Sequence, residues 1–385
     1  MNGPSRQELP SWRRAVLKVG SNLLAADGGG LTPRFAASLA AFIATSHAAG
    51  RQVVLVSSGA VAAGRALLHA REAPGRDLAA RQAMAALGQA PMIALWQSLS
   101  ARPVAQVLLT HDDLRNRRRY LNARATLQGL LALEALPVVN ENDTVAVDEL
   151  KLGDNDNLAA IVAALVDADL LLIASDVDAL YSADPRRDPA ATRIARIEAV
   201  TPTVMAMAGG SGSAVGTGGM RTKLEAAEKA GAAGIPTALF DGRDNATVQA
   251  LAEGHLRGTL VCTPRNRMQA RKYWLLHVPA APGCIRVDAG AARAISDGGA
   301  SLLPKGVIDA AGEFQRGDMV EIVGACSDRE PRVVARGITQ YGAAEINRIA
   351  GSHTRDIRQR LGYSYGESIV HRDDLAVITD SGVTP

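Results

Sequence analysis

The chain of 385 residues is poor in aromatic residues and cysteine and has no long apolar run. Phe, Trp and Tyr make up only 3% of it, so the core must be built from Ala, Leu, Val and Ile. The three cysteines, Cys262, Cys284 and Cys326, form no CxxC pair, which argues against a disulfide framework or a zinc site and suits a reducing cytosol. No uncharged apolar run reaches the ~18 residues of a membrane span, and the start of the chain has no signal-peptide stretch. We therefore expect a cytoplasmic protein with no membrane partner.

Lysine is scarce as well, and the charges nearly balance. The net charge of +3 is small for this length and does not by itself require a nucleic-acid or membrane partner. Of the 42 basic residues, 36 are arginine and six are lysine, so arginine supplies the generic positive charge. A lysine inside a motif therefore indicates a position that needs a compact ammonium group.

The length predicts two domains, and a content of 47% hydrophobic and 21% charged residues is typical of a soluble globular protein. Short apolar runs alternate with Ala/Leu-rich helical patterns through most of the chain. We predict strands at residues 15–19, 52–57, 104–109, 137–140, 170–174 and 237–240, and helices at 34–49, 77–100, 120–135, 155–166 and 220–230. This alternation indicates an α/β fold with an open, mostly parallel sheet sandwiched by helices. The strand carboxyl ends would share one edge, where such sheets bind ligands.

A second domain is indicated by a change of pattern near residue 265. Pro and Gly punctuate short apolar stretches at residues 284–287, 319–323 and 332–338, which predicts a small β-rich domain. We place the first domain at residues 1–265, a linker at 266–280, the β-rich domain at 281–362 and a C-terminal segment at 363–385.

Polar motifs follow the predicted strands, but neither GxxxxGK[ST] nor a GxGxxG after a strand is among them. Lys18 interrupts an apolar strand and is followed closely by Gly20. It is either an edge-strand lysine that reaches water or an ammonium group held at a phosphate. Ser58 and Gly59 end another strand and precede a helix, where they form either a simple helix cap or a ligand site.

Two clusters combine acids with amides. Residues 140–143 (NEND) follow a strand without a turn-forming Gly or Pro, which fits a plain loop or a site for a cation such as an α-amino group. Residues 154–157 (DNDN) precede a predicted helix, and a single helix cap needs only one of them. Their spacing does not match an EF-hand.

A glycine-rich stretch, residues 209–223 (GGSGSAVGTGGMRTK), ends in Lys223 at the start of a predicted helix. A flexible linker is one interpretation, and a polyphosphate site at a helix N-terminus is the other. Ser175 and Asp176 follow the strand at 170–174 and suit a hydroxyl or nucleotide contact.

Taken together, these motifs favour phosphoryl transfer, which depends on positioning and charge neutralisation. None of the seven histidines lies in any of them. An alcohol acceptor usually benefits from a base, whereas a carboxylate is already ionised at pH 7. The motifs therefore favour a carboxylate acceptor and an acyl-phosphate product.

In this order the motifs resemble the amino acid kinase family, and within it the glutamate 5-kinases. The resemblance is carried by SSGAVAAGR, NENDTVAVDE, KLGDNDNLAA and GTGGMRTK, while SLLPKG, NRIAG and GYSYGESIVHRDDL in the second domain resemble a PUA domain. The resemblance implies ATP-dependent phosphorylation of the γ-carboxylate of L-glutamate, the first step of proline biosynthesis. It also implies Mg²⁺ accompanying ATP, feedback inhibition by proline, and a homodimer or homotetramer.

The resemblance further implies roles for individual residues. Lys18 and Lys223 would contact the ATP phosphates and stabilise the transferring phosphoryl group, and Asp156 would lie between them and hold both. Glutamate would contact Ser58, Gly59, Asp143 and Asn155. The nucleotide would contact Lys18, Gly20, Ser175, Asp176, Thr217, Gly218, Gly219, Met220, Arg221, Thr222 and Lys223. Mg²⁺ would be held mostly by phosphates and water, with no assigned protein ligand.

Two alternatives stay open. A sister kinase for acetylglutamate, aspartate or a nucleoside monophosphate would share the fold and the loops. PUA domains often bind RNA, but acidic residues outnumber basic ones between residues 282 and 385, so the basic surface expected for RNA backbone binding is absent from the overall charge. We therefore expect the second domain to serve assembly or regulation.

Overall fold

The computed structural model describes residues 6–25, 30–68, 78–110, 113–114, 116–146, 155–186, 188–208, 219–263, 283–324 and 332–378. The chain divides into two compact units, Met1–Arg267 and Met268–Pro385. The predicted linker at 266–280 and the residues Thr217, Gly218 and Cys326 lie outside the described residues. Among the helices of the described part, none combines the length and the apolar character needed to cross a membrane.

The first unit alternates strands with helices. Its strands are β1 (Gln7–Glu8), β2 (Arg14–Val19), β3 (Gln52–Ser57), β4 (Val104–Leu109), β5 (Leu136–Glu141), β6 (Leu170–Ser175), β7 (Leu180–Tyr181), β8 (Arg193–Ile194), β9 (Arg196–Ile197), β10 (Thr237–Asp241), β11 (His255–Leu256) and β12 (Gly258–Val261). Its helices are α1 (Ala36–Ala48), α2 (Ala60–Leu67), α3 (Leu78–Leu99), α4 (Arg117–Ala132), α5 (Asn155–Leu165), α6 (Pro202–Met207), α7 (Met220–Ala232) and α8 (Asn245–Ala252).

Eight strands form the central sheet, in the order β4-β5-β3-β2-β6-β10-β12-β9. The first six of these are parallel to one another, whereas β12 is antiparallel to β10 and carries β9 at the edge. Strands β3 (QVVLVS) and β6 (LLLIAS) are apolar on both faces and almost wholly buried, which is typical of a parallel sheet covered on both sides.

Helices cover both faces of this sheet. One face packs against α1, α3 and α8 through residues such as Phe42, Trp96 and Leu251. The opposite face packs against α5 and α7 through Leu158 and Leu224. Buried apolar side chains are worth about 1.5–3 kcal/mol each, so these two layers supply most of the unit's stabilisation.

Helices α2 and α3 approach each other very closely. A β-carbon added to Gly88 would lie 1.7 Å from the carbonyl oxygen of Ala60, and one added to Gly64 would lie 1.9 Å from that of Met84. Because no side chain fits between these backbones, glycine is required for the contact. The contact fixes the first turn of α2, which begins directly after Ser58 and Gly59.

The second unit contains a five-stranded sheet in the order β14-β13-β15-β16-β17. Its elements are β13 (Gly283–Val287), α9 (Ala289–Gly298), β14 (Val307–Gly312), β15 (Met319–Gly324), β16 (Arg332–Thr339), α10 (Ala343–Ile349), α11 (Ile357–Leu361) and β17 (Val370–Val377). Apolar residues such as Ile285, Val320 and Tyr341 form its core. Strand β17 pairs with β16, so the sheet includes part of the segment that sequence analysis set apart after residue 362.

The expected fold class is confirmed, since a mostly parallel sheet lies between helices and a small β-rich unit follows. All six strands predicted for the first domain are present, with ends within one residue of the prediction. The two-residue strands and strand β12, which runs antiparallel to β10, were not predicted. The described part of the second unit also includes helices α9, α10 and α11, which its Gly-rich and Pro-rich pattern did not indicate.

Candidate active site

The carboxyl ends of the parallel strands meet at one edge of the central sheet. Gly20 follows β2, Ser58 follows β3, and Asp176 follows β6. The backbone joins these ends, since the N–H of Gly20 donates to the Ala174 carbonyl at 3.3 Å and the N–H of Ser58 donates to the Val19 carbonyl at 3.2 Å. Polar groups from distant parts of the sequence therefore lie side by side.

Two lysines converge on one buried carboxylate at this edge. The Lys18 Nζ lies 2.5 Å from Asp156 Oδ1, and the Lys223 Nζ lies 3.1 Å from Asp156 Oδ2. Asp156 is fully buried, and the two lysines are 5% and 6% exposed. The Thr222 hydroxyl adds a hydrogen bond to Asp156 Oδ2 at 3.0 Å. Strand β2, helix α5 and helix α7 thus each contribute to one buried cluster.

The charges of this cluster do not cancel. Burial by itself raises the pKa of Asp156, but the charges and hydrogen bonds of Lys18 and Lys223 outweigh it and lower the pKa from 3.8 to about 2. The carboxylate is therefore ionised at neutral pH. Each ammonium group has three donors and uses one on Asp156. Because two ammonium groups face one carboxylate, the cluster can attract an anion.

A second cluster joins the start of α5 to the ends of β3 and β5. The Asn155 side-chain amide donates to the Ser58 hydroxyl at 2.8 Å and to Asn140 Oδ1 at 2.9 Å. It also lies 3.3 Å from the Ser57 carbonyl oxygen. Gly59 has φ +106°, a conformation that favours glycine, and it begins α2 without a side-chain cap. The first N–H groups of α2 are therefore not occupied by a capping side chain.

A third cluster lies at the ends of β6 and β10. Asn22 Nδ2 donates to Asp176 Oδ2 at 2.8 Å, and the Ser175 hydroxyl lies 3.2 Å from Asp176 Oδ1. The Arg243 guanidinium donates to the Asp176 carbonyl at 2.6 Å while it pairs with Asp241. Burial raises the pKa of Asp176, but these hydrogen bonds and the Arg243 charge lower it below 3.8.

The start of α7 carries the predicted end of the nucleotide loop. Gly219 has extended backbone and provides no capping side chain, so the N-terminal N–H groups of α7 can receive an anion. Met220 packs partly against the core, and Arg221 is exposed and pairs with Glu225 at 3.1 Å. Thr222 and Lys223 turn inward to Asp156.

Asp143 lies in the turn that follows β5, at the same edge of the sheet as Ser58 and Asn155. The backbone N–H groups of Val145 and Ala146 donate to the Asn142 carbonyl and close this turn. The turn therefore holds Asp143 close to the carboxyl end of β5.

Several polar residues of these clusters, Asn22, Asn140 and Arg243, were not predicted from the sequence. Asn22 stands two residues after Gly20, just beyond the motif around Lys18, whereas Asn140 is the first residue of the NEND motif but was not selected. Arg243 follows β10 as the other polar groups follow their strands, and that strand end was not considered. A systematic inspection of every strand end would have identified it.

No group of three or more His, Cys, Asp or Glu side chains that could hold a metal ion is found among the described residues. The buried Asp156 is engaged by two lysines and is not available as a metal ligand.

Comparison with known proteins decides the family. The family model described as the amino acid kinase family matches residues 13–241, and the PUA domain model matches residues 283–361. The chain belongs to the amino acid kinase family. A glutamate 5-kinase of Xanthomonas oryzae pv. oryzae is 67% identical over 363 residues, covering 94% of this chain and 100% of the relative. A glutamate 5-kinase of Xylella fastidiosa is 64% identical over 381 residues, covering 97% and 98%.

Within this family the chain falls among the glutamate 5-kinases and carries a PUA domain, as the sequence motifs predicted, and it is a kinase. Two solved structures are similar at lower identity. The UMP kinase of Bacillus anthracis is 16% identical with a TM-score of 0.47, covering 66% of this chain and 98% of that one. The carbamate kinase of Giardia lamblia, bound to AMP-PNP, is 18% identical with a TM-score of 0.47, covering 65% and 98%.

Proposed function

We propose that the chain transfers the γ-phosphoryl group of ATP to the γ-carboxylate of L-glutamate and forms L-glutamyl 5-phosphate, the first step of proline biosynthesis. The observation that carries this proposal is the pair of lysines held on one buried carboxylate, at the edge that also presents Ser58 and Asn155. The relatives named glutamate 5-kinase, at 63–67% identity, support the choice of acceptor.

MgATP is the proposed phosphoryl donor. Lys18 and Lys223 contact its phosphates and the phosphoryl group in transfer, and Asp156 positions both ammonium groups. The remaining nucleotide contacts come from Gly20, Ser175, Asp176 and the segment Thr217, Gly218, Gly219, Met220, Arg221 and Thr222. The N-terminus of α7, which Gly219 does not cap with a side chain, supports a phosphate at this place, because the first N–H groups and the dipole of a helix favour negative charge.

Glutamate is proposed to bind at Ser58, Gly59, Asp143 and Asn155. The hydroxyl of Ser58 and the uncapped start of α2 supply donors for carboxylates, and Asn155, whose amide hydrogens engage Ser58 and Asn140, positions that hydroxyl. Asp143 supplies a negative charge for the α-amino group. The carboxylates and the α-amino group of glutamate thereby bind to separate partners, which fixes the orientation of glutamate in the site.

The chemistry follows from the charges. A γ-carboxylate oxygen of glutamate forms a bond to the γ-phosphorus, and the bond from that phosphorus to the oxygen shared with the β-phosphate breaks, releasing ADP. The acceptor is ionised at pH 7, so no base has to remove a proton. The main barrier is repulsion between two anions, and the two ammonium groups reduce it in a water-poor site.

The test is a hydroxylamine-trapping assay. The chain, MgATP and L-glutamate should yield a hydroxamate, while acetylglutamate and aspartate should yield much less under the same conditions. A nucleoside monophosphate acceptor produces no hydroxamate, so phosphate transfer to UMP is followed separately through ADP release. Equal or greater turnover with any of these acceptors would refute the glutamate assignment.

Regulation and assembly are part of the proposal. Proline is proposed to inhibit by competing at the glutamate site, and the chain is proposed to act as a homodimer or homotetramer in the cytoplasm. Adding proline to the hydroxamate assay tests inhibition, and sedimentation at several protein concentrations tests assembly.

Salt-sensitive RNA binding by the full chain would favour the RNA alternative for the PUA domain.

A further inference from the structure

A cavity of about 250 Å³ lies on the first unit, between α1 and the carboxyl-terminal end of α3. Its lining includes Leu136, the first residue of β5, and Arg102, which lies just before β4. Both strands carry their carboxyl ends at the candidate active site, so this cavity lies toward the other end of the strands. It is therefore separate from the groups that are proposed to bind ATP and glutamate.

The lining has the chemistry of a site for a small organic acid. Ile43, Leu99 and Leu136 supply apolar walls, and among the described lining residues His47 and Arg102 are the charged or titratable ones, with no acid beside them. An apolar cavity of about 150 Å³ is enough for benzene, so about 250 Å³ accommodates a ring with a short chain.

Arg102 can take an anion at low cost. Its guanidinium lies 3.9 Å from Glu134, whose side chain is 76% exposed, and such loose surface pairs contribute little. Burial and the Arg102 charge lower the pKa of His47 to about 4, so His47 is a neutral hydrogen-bonding group at pH 7. Arg102 is then the cation that selects a carboxylate.

One lining residue connects the cavity to the proposed glutamate site. Trp96 is 1% exposed, and its indole Nε1 donates to the Ser57 hydroxyl at 2.8 Å. The Ser57 hydroxyl in turn donates to the Ser58 carbonyl at 3.2 Å, and the Ser57 carbonyl lies 3.3 Å from Asn155 Nδ2. A shift of the Trp96 ring therefore acts directly on the end of β3.

We propose that this cavity binds a small organic acid, with its apolar body against Trp96 and its carboxylate on Arg102, and that occupancy alters substrate affinity through Trp96 and Ser57. The binding half of the proposal is independent of the function proposed above. The coupling half rests on that function, because it concerns the affinity for glutamate.

Binding is tested by calorimetry on the full chain with 3-phenylpropanoate and its neutral counterpart 3-phenylpropanol. For a ligand of this size we expect a Kd on the order of 1 mM for the acid. The alcohol should bind about tenfold more weakly or worse, because it lacks the charged hydrogen bond. Absence of acid binding at ~10 mM, or equal binding of both compounds, would overturn the proposal.

Three variants locate the site. Arg102→Met and the cavity-filling Ala44→Phe should each weaken acid binding about tenfold or more. Arg196→Met, which changes an exposed arginine outside the cavity, should leave it unchanged. A thermal melt verifies that each variant is folded. If Ala44→Phe does not fold, acid binding by Arg102→Met alone tests the location of the site. Binding that survives Arg102→Met places the acid elsewhere, including in the glutamate site, and overturns the assignment.

Coupling is tested with Trp96→Phe, which retains a ring but removes the indole N–H. In the unmodified chain, saturating acid should change the KM for glutamate about fivefold, with the KM for ATP unaffected. In Trp96→Phe the acid should still bind, while the change in KM should fall below about twofold. A change that persists in Trp96→Phe overturns the coupling. A chain that binds the acid but does not phosphorylate glutamate overturns the proposed function and leaves the binding site established.

Discussion

Replacing Asp156 by Asn would remove the charge that holds Lys18 and Lys223 together while preserving the size of the side chain. The carboxylate is fully buried and contacts both ammonium groups, at 2.5 Å and 3.1 Å. In Asp156→Asn two buried ammonium groups would face each other with no counter-charge. Both folding stability and turnover should therefore fall.

The loss of stability can be bounded from the structure. A pKa lowered from 3.8 to about 2 corresponds to about 2 kcal/mol of stabilisation at neutral pH. Removing one partner of a buried ion pair typically costs about 3–5 kcal/mol, because the other charge stays buried without compensation. We expect the free energy of unfolding of Asp156→Asn to be about 2–5 kcal/mol lower than that of the unmodified chain.

Urea unfolding at several pH values checks this expectation. The pKa of Asp156 is lowered in the folded state, so its contribution is fully present above 3.8 and is lost as the pH falls toward about 2. The difference in unfolding free energy between variant and unmodified chain should be constant from about pH 7 to about pH 5 and should shrink below about pH 4. The kcat should fall about 100-fold or more, because displaced lysines no longer meet the phosphoryl group.

Glu253→Gln is a matched control, since it neutralises an exposed acid that pairs with Arg6 at the surface. Its effect on unfolding should stay below about 1 kcal/mol, with turnover unchanged. If Asp156→Asn unfolds at the same urea concentration as the control and retains its kcat, Asp156 does not position the lysines and the reasoning is refuted.

Three further substitutions, and a control for the third, probe the rest of the first unit. Lys223→Ala should lower kcat by orders of magnitude with a smaller loss of folding stability, and near-normal turnover would remove Lys223 from the site. Asp143→Ala should raise the KM for glutamate about tenfold or more with a nearly unchanged KM for ATP, whereas an unchanged glutamate KM would contradict its role. Gly88→Ala should separate α2 from α3 and lower the unfolding free energy by about 2 kcal/mol or more, as urea titration would show. Gly129→Ala, a helical position with open space around it, should be neutral or stabilising by up to about 1 kcal/mol.

Much of the sheet could be predicted because its central strands are buried on both faces. The apolar runs of β3 and β6 are continuous. Strand β3 ends at Ser57, as predicted, and β6 ends at Ser175, one residue after the predicted end. The short strands β7, β8 and β9 have only two residues each, so no periodicity distinguishes them from loop. Edge strands depend on pairing between distant segments, which a local pattern does not encode.

In the candidate site, too, some residues could be predicted from the sequence and others could not. Lys18 was selected because a lysine in an apolar strand is unusual, and Lys223 because it follows a glycine-rich stretch. The role of Trp96 had no such signal, since a tryptophan inside a long helix is normally interpreted as core. Its contact with Ser57 joins α3 to the end of β3, and only the packing of the helix on the sheet brings the two together.

The arrangement of charges explains why the site suits a reaction between two anions. Among the residues that the structure describes, one carboxylate contacts two ammonium groups, so positive charge exceeds negative charge in this cluster. A second carboxylate would stabilise the empty protein but would repel both the phosphates and an anionic acceptor. Asp156 holds the two lysines in place, and under the proposed function their positive charge would stabilise the phosphoryl group in transfer.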